Sequence, residues 1–562
     1  MRTTRTTRTT RTTRTTMGMR DDEVVAAAGR MSFGSQLART ARRFPGRTAY
    51  QLDDRVCTYA GLDERVSRVA RALRSRGVGR GDRVAVLMRN RLETVEAYYG
   101  VCRLGAVVVP INFRLVAGEV SYILRDCAAT ALIVDGDSAG VAAAALSEAD
   151  SVRVVLATDS AEDVFPVRAG AEAYETALAA THGDALDVNS DVNSDVNTDI
   201  DMAVDVAESD AAFLMYTSGT TGRPKGAVLT HQNLAMACML QGLSIGGTPP
   251  DGEVAMLGVP MFHIAGVGTM LPSLLNGGRV VVYSAPAFDP VAVLDLLERE
   301  RITSCFFVPS QWQEICAVPG VKERDLALRK LYWGAAPAAP SLLRALADTF
   351  PQAPAYSAFG QTETSATTCL LRAEDADRKM GSVGRPLPGV EVRIVDEAMR
   401  DVAPGEVGEI VYRGPTVMRE YWSKPEATAE AFAGGWFHSG DLCRMDDDGF
   451  IWVVDRKKDM IISGGENIYC AEVEAAIDSH PKVAEVAVIG APHEKWGQTP
   501  VAVVTAADPS DPPSEQSVID HCRARLASYK KPTAVVVVEE MPRTATGKIQ
   551  KFELRRLFAQ GN

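Results

Sequence analysis

Between Asp82 and Pro110 lie two short apolar runs, Asp82-Arg83-Val84-Ala85-Val86-Leu87-Met88 and Ala106-Val107-Val108-Val109-Pro110, with a helical pattern around 92 to 104 between them. Valine-rich runs of this length, separated by a helix, have the character of fully buried parallel strands; a strand solvated on one face would alternate apolar and polar residues. Helical patterns near 34 to 44 and 60 to 77 precede them. Apolar runs return at 211 to 216, 254 to 259, 279 to 283, 305 to 308 and 330 to 333, each followed by Gly, Pro or Ser. The repetition predicts an α/β fold with β-sheets covered by helices. A chain of 562 residues is too long for one hydrophobic core. At 455 to 459, Asp-Arg-Lys-Lys-Asp, the pattern changes to a shorter α+β one. A large domain over 31 to 457 and a separate small domain over 458 to 562 are therefore expected.

Five Arg-Thr-Thr triplets occupy residues 2 to 16. They offer nothing to a core, and strict triplets lack the apolar face of a targeting presequence, so residues 1 to 30 are expected to be a disordered extension. Residues 184 to 206 repeat an Asp-Val-Asn-Ser unit; the Gly and Glu that an EF-hand loop requires are missing, so a solvated loop is expected. A net charge of −12 argues against broad nucleic-acid binding. No apolar stretch is long enough to span a bilayer, which leaves only peripheral membrane contact open. Ten cysteines are scattered singly without zinc spacing, as in a reduced cytoplasmic protein.

Residues 213 to 226 read FLMYTSGTTGRPKG, an apolar strand running into Thr217, Ser218, Gly219, Thr220, Thr221, Gly222, Arg223, Pro224, Lys225 and Gly226. Glycines expose backbone N–H groups, hydroxyls add donors, and Lys225 adds charge, which together suit a polyphosphate. The P-loop of nucleotide hydrolases ends in Gly-Lys-Ser/Thr and enters a helix, whereas Lys225 precedes a glycine.

With this loop the chain resembles the adenylate-forming superfamily of acyl-CoA synthetases, nonribosomal-peptide adenylation domains and beetle luciferases. Further motifs follow in that family's order: PMFH at 260 to 263, GAAP at 334 to 337, YSAFGQTE at 356 to 363, GWFHSGD at 435 to 441, DRKKDMIISGGENIY at 455 to 469 and PRTATGK at 542 to 548. The resemblance implies an AMP-forming acid–CoA ligase using ATP, Mg²⁺ and coenzyme A. Thr362 would offer its hydroxyl to a phosphate, and Glu363 a hard oxygen to Mg²⁺. Asp441 would accept from the ribose hydroxyls, with Arg456 as its companion. Gly334, Ala335 and Ala336, with Ser357, Ala358, Phe359 and Gly360, would form the adenine cradle and part of the acyl wall. Phe359 stands where the family commonly has Tyr, retaining the stacking face without the hydroxyl.

Lys548 resembles the lysine that bridges the substrate carboxylate and the α-phosphate, and is the expected catalytic residue. The family's second step follows rotation of the C-terminal domain about a hinge, here Lys458, which would bring Ser463, Gly464, Gly465 and Glu466 toward the site to pass the pantetheine arm. In the acyl pocket, His263 occupies the place where amino-acid-activating relatives carry Asp. With Gly266, Val267, Gly268 and Gly334 small or apolar, the pocket suits an uncharged tail. The motif wording, including EKWGQ at 494 to 498, most resembles bacterial fatty-acyl-CoA synthetases. No carrier-protein domain is fused before Asn562, which favours CoA as acceptor. A stand-alone enzyme loading a carrier protein, and a silent binding homologue, are the alternatives.

Overall fold

The computed structural model describes residues 30–159, 165, 170–183, 206–217, 223–247, 253–336, 338, 340–464, 466–543 and 549–561. The Arg-Thr-Thr tract and nearly all of the Asp-Val-Asn-Ser repeat lie outside them. Two large sheets form the body. The nine-stranded sheet has at its centre the parallel strands Val254–Leu257, Ser304–Phe307, Lys330–Gly334 and Ala355–Phe359. The eight-stranded sheet runs from the edge pair Glu420–Tyr421 and Lys225–Thr230 through Ala211–Thr217 to Val107–Pro110, Arg83–Leu87 and beyond. Both valine runs identified in the sequence are buried, with Val107–Pro110 pairing in parallel with Arg83–Leu87.

Between the sheets lies the helix Leu92–Leu104, buried along almost its whole length and ended by Gly105 at φ 76°, a conformation glycine adopts without penalty. It packs on Phe33–Arg43 and Tyr59–Ser75, whose N-termini are capped by the Ser32 and Thr58 hydroxyls. Arg103, 1% exposed, spends its charge on an ion pair with Asp63 and a bond to Ser67 Oγ.

The sheets are mixed at their edges rather than wholly parallel. Lys225–Thr230 returns antiparallel on Ala211–Thr217, and Cys369–Leu371 antiparallel on Ala355–Phe359. A third sheet of four antiparallel strands, Glu391–Val395, Val407–Arg413, Phe437–Met445 and Ile451–Arg456, was not anticipated from the sequence. Several of its strands are only partly buried, so they lack the continuous apolar signature of the central strands.

After Arg456 the chain enters a small sheet built on the long hairpin Val483–His493 and Gly497–Ala506, with separate apolar clusters, one containing Ile461, Val473 and Val504, the other Ile489, Val503 and Leu554. The Asp455 carboxylate accepts from Cys470 N, at the start of the helix Cys470–Asp478, so the last strand of the third sheet is tied directly to the small sheet's first helix.

Candidate active site

A cleft of about 2470 Å³ opens where strand ends of the large sheets meet the third sheet and residues 549–555 of the C-terminal segment. Open α/β sheets bind ligands at the carboxyl ends of their strands, and Thr217, Gly334 and Phe359 each end such a strand and line the cleft.

Glu363 lies in the short turn Thr362–Thr364 just beyond Phe359, 8% exposed. Its Oε1 accepts from Tyr421 Oη at 2.9 Å and from Thr217 Oγ1 at 3.3 Å. Burial, and then the Glu363 charge, push the Tyr421 phenol well above its ordinary range, so it remains a donor. Oε2 has no protein donor among the described residues. A buried carboxylate on the cleft wall with one oxygen held and the other without a donor among the described residues suits Mg²⁺, which prefers a few carboxylates together with substrate phosphates; when bound, the ion would offset phosphate charge. Lys225 places Nζ 5.2 Å from the Tyr421 ring centroid. Behind it, Tyr122 Oη donates to Pro224 O at 3.0 Å, while Asp126 takes Tyr216 Oη at 2.7 Å and Lys424 Nζ at 2.9 Å. These contacts fix the exit of the glycine loop; Ser218, Gly219, Thr220, Thr221 and Gly222 lie outside the described residues.

The segments expected to cradle adenine are tightly packed backbone. A Cβ on Gly334 would fall 2.2 Å from Ala358 O on the neighbouring strand, and one on Gly360 would fall 2.3 Å from Ala366 O. Ala335, Ser365 and Ala366 all adopt positive φ, a concentration of backbone strain of the kind that accompanies functional sites. Ala335 and Ala336 are exposed, Ser357 is buried, and Ala358, Phe359 and Thr362 are partly exposed; all line the cleft.

Asp441 and Arg456 are register partners on adjacent antiparallel strands, and Arg456 Nε meets Asp441 Oδ1 at 2.7 Å. Lys458 also lines the cleft. Lys548 and Gly465 lie outside the described residues. Arg543 and Ile549, which flank the Lys548 segment, form a β-bridge and both line the cleft. Ser463, Gly464 and Glu466 do not line it; Gly464, at φ 61°, donates to Trp496 O at 2.8 Å within the small sheet.

One part of the expected acyl wall needs correction. His263 lines the cleft and caps the helix Ile264–Met270, its Nδ1 accepting from Ala265 N at 3.2 Å. Gly266 and Val267 do not line it. Val267 is fully buried, and a Cβ on Gly266 would collide with Pro260 O at 2.4 Å. The helix turns Ala265, Gly268 and Thr269 toward the cleft instead. Tyr421 and Asp126, by contrast, carried no local sequence signal.

A family model described as AMP-binding enzyme matches residues 37–422, and the AMP-binding enzyme C-terminal domain matches 472–548. The chain is 40% identical to a feruloyl-CoA synthase of Amycolatopsis sp. over 93% of its own length and 99% of the relative's. It is 38% identical to the long-chain-fatty-acid–CoA ligase FadD13 of Mycobacterium tuberculosis, over 89% and 93%. Among solved structures, ATP-bound MatB from Rhodopseudomonas palustris aligns with a TM-score of 0.80 at 30% identity, over 94% of this chain and 99% of that one. The anthranilate CoA ligase AuaEII with anthranoyl-AMP aligns with a TM-score of 0.82 at 27% identity, over 95% and 98%. With both family domains in sequence order on the expected two-part fold, the chain belongs to the AMP-binding enzyme family and is an ATP-dependent, AMP-forming acyl-CoA synthetase.

Proposed function

We propose that the acid is a monocarboxylate with an elongated, uncharged tail, either a fatty acid, as the motif wording suggests, or an aryl-alkenyl acid. The observation behind this reading is the course of the cavity. It runs from Gly334 and Ala358 down one face of the central strands to Ala255 and Ser304, roughly 13 Å of strand, opposite Met239 and Gly242 of the helix His231–Ser244. The relatives named for feruloyl and long-chain fatty acyl groups fall on either side of that description.

In the proposed mechanism a carboxylate oxygen attacks the α-phosphorus of ATP and pyrophosphate leaves. The carboxylate is already ionised, so no base is required. Lys548 neutralises charge between the carboxylate and the α-phosphate, Thr217, Lys225 and Thr362 hold phosphate, Glu363 holds Mg²⁺, and Asp441 with Arg456 holds the ribose. The backbone then turns at Lys458, the Ser463–Glu466 hairpin enters, and the CoA thiol displaces AMP at the carbonyl. A cytoplasmic setting belongs to the same proposal, supported by ten unpaired cysteines. The test is a panel of alkyl, arylpropenoic, α-amino and dicarboxylic acids scored for thioester formation on CoA and on a carrier protein. Turnover of the first two classes with CoA is expected; preference for α-amino acids or for the carrier protein would refute the reading.

A further inference from the structure

Below Gly334 and Ala358 the acyl cavity is not uniformly apolar. Alternate residues of the central strands face it, while Leu331 and Trp333 pack into the cluster on the sheet's other side. Phe306 and Tyr332 form the next row down, in register with each other and with Tyr356. Ala255 and Ser304 form the row below, and Glu253 stands at the entry to the Val254 strand, also lining the cavity.

Tyr332 Oη makes no hydrogen bond among the described residues, although burial, and after it the Glu253 charge, hold the phenol far above its ordinary range. Ser304 Oγ, on a residue 4% exposed, likewise has no partner among them. Shielded hydroxyls facing a cavity are costly to leave unpaired once water is expelled. An alkyl tail filling this space would strand both. A tail hydroxyl could accept from Tyr332 or Ser304, whereas a second carboxylate would approach Glu253, one row deeper, as a like charge.

We infer that the far end of the acyl cavity, formed by Tyr332 and Ser304 with Glu253 one row deeper, is a subsite for an uncharged hydroxyl on the acid's tail, its two hydroxyl-bearing rows lying about 7 and about 13 Å of strand below the carboxylate end, and that it selects hydroxylated acids, phenolic arylpropenoates above all. This rests on the acid–CoA ligase reading and narrows its substrate.

The test compares 4-hydroxycinnamate with cinnamate in CoA thioester formation by wild type, Tyr332→Phe and Ser304→Ala. The matched acyl-sulfamoyladenosines are measured in parallel by calorimetry. Wild type should favour the hydroxylated acid by about tenfold in kcat/KM and in Kd, and the ratio should fall toward one in Tyr332→Phe at an unchanged Tm. Glu253→Gln should raise the use of a terminal dicarboxylate by about tenfold. A hydroxyl preference that is absent in wild type, or unmoved in both hydroxyl variants, overturns the subsite while leaving the ligase reading intact. Discrimination between the two sulfamoyl ligands without any thioester formation would keep the subsite and refute the ligase reading. Failure of either ligand to bind would overturn the subsite.

Discussion

Tyr421→Phe removes one oxygen and tests how the Glu363 carboxylate is held. The phenol at 2.9 Å is the shorter of two donors to Oε1; Thr217 at 3.3 Å remains, as do the ring and its contact with Lys225. Outer partners that orient a metal-binding carboxylate change metal affinity about 10–100-fold when deleted. Because Thr217 persists, the lower end applies, and half-saturation by Mg²⁺ should rise about tenfold, equivalent to about 1.4 kcal/mol. The assay is ATP–pyrophosphate exchange at saturating ATP and acid, titrated with Mg²⁺, with Tm measured alongside. KM for the acid should be unchanged, and Tm should fall by no more than about 2–4 °C. An unchanged Mg²⁺ requirement would refute the assignment of Tyr421 as the residue that orients a metal-binding Glu363.

If Lys548 has the proposed role, its charge acting on the transition state, Lys548→Ala should cut pyrophosphate exchange about 10²–10³-fold while leaving ATP binding by calorimetry nearly intact. Gly334→Ala must move the Ala358 strand away from a 2.2 Å contact and should lower both Tm and ATP affinity, while Gly268→Ala, whose Cβ would sit 3.4 Å from Ala366 Cβ, should be tolerated in a thermal-shift comparison. His231 is fully buried, its Nδ1 accepts from Phe33 N, and burial lowers its pKa from 6.5 to about 4. The unfolded chain therefore binds the proton first, and this stability, complete above 6.5, is lost as pH falls toward 4. About 1 kcal/mol should disappear between about pH 7.5 and 5.5, and His231→Asn should flatten that part of the Tm profile.

The central strands were legible because buried parallel strands write continuous apolar runs, and Gly334 of the GAAP motif because it stands where backbone packs on backbone. The third sheet was not, since partly buried antiparallel strands such as Glu391–Val395 leave only a diluted pattern. Residue size identified small positions after His263 but not their direction; the phase of the helix Ile264–Met270 turns Val267 inward and Gly268 outward. Glu363 was visible in YSAFGQTE, yet Tyr421 lies 58 residues farther along the chain. It reaches Glu363 only because Glu420–Tyr421 docks on the edge of Lys225–Thr230, a pairing with no local trace.

The Glu363 contacts also bear on how the enzyme becomes active during folding. Its carboxylate follows the nine-stranded sheet, whereas Thr217 and Tyr421 belong to the eight-stranded one, with separations of 146 and 58 residues. Local helix formation does not assemble this triad; both sheets must dock around the helix Leu92–Leu104 first, and pairing between distant segments is slow. In a refolding chain, adenylate formation should therefore recover later than far-ultraviolet circular dichroism, marking the arrival of the last long-range contacts.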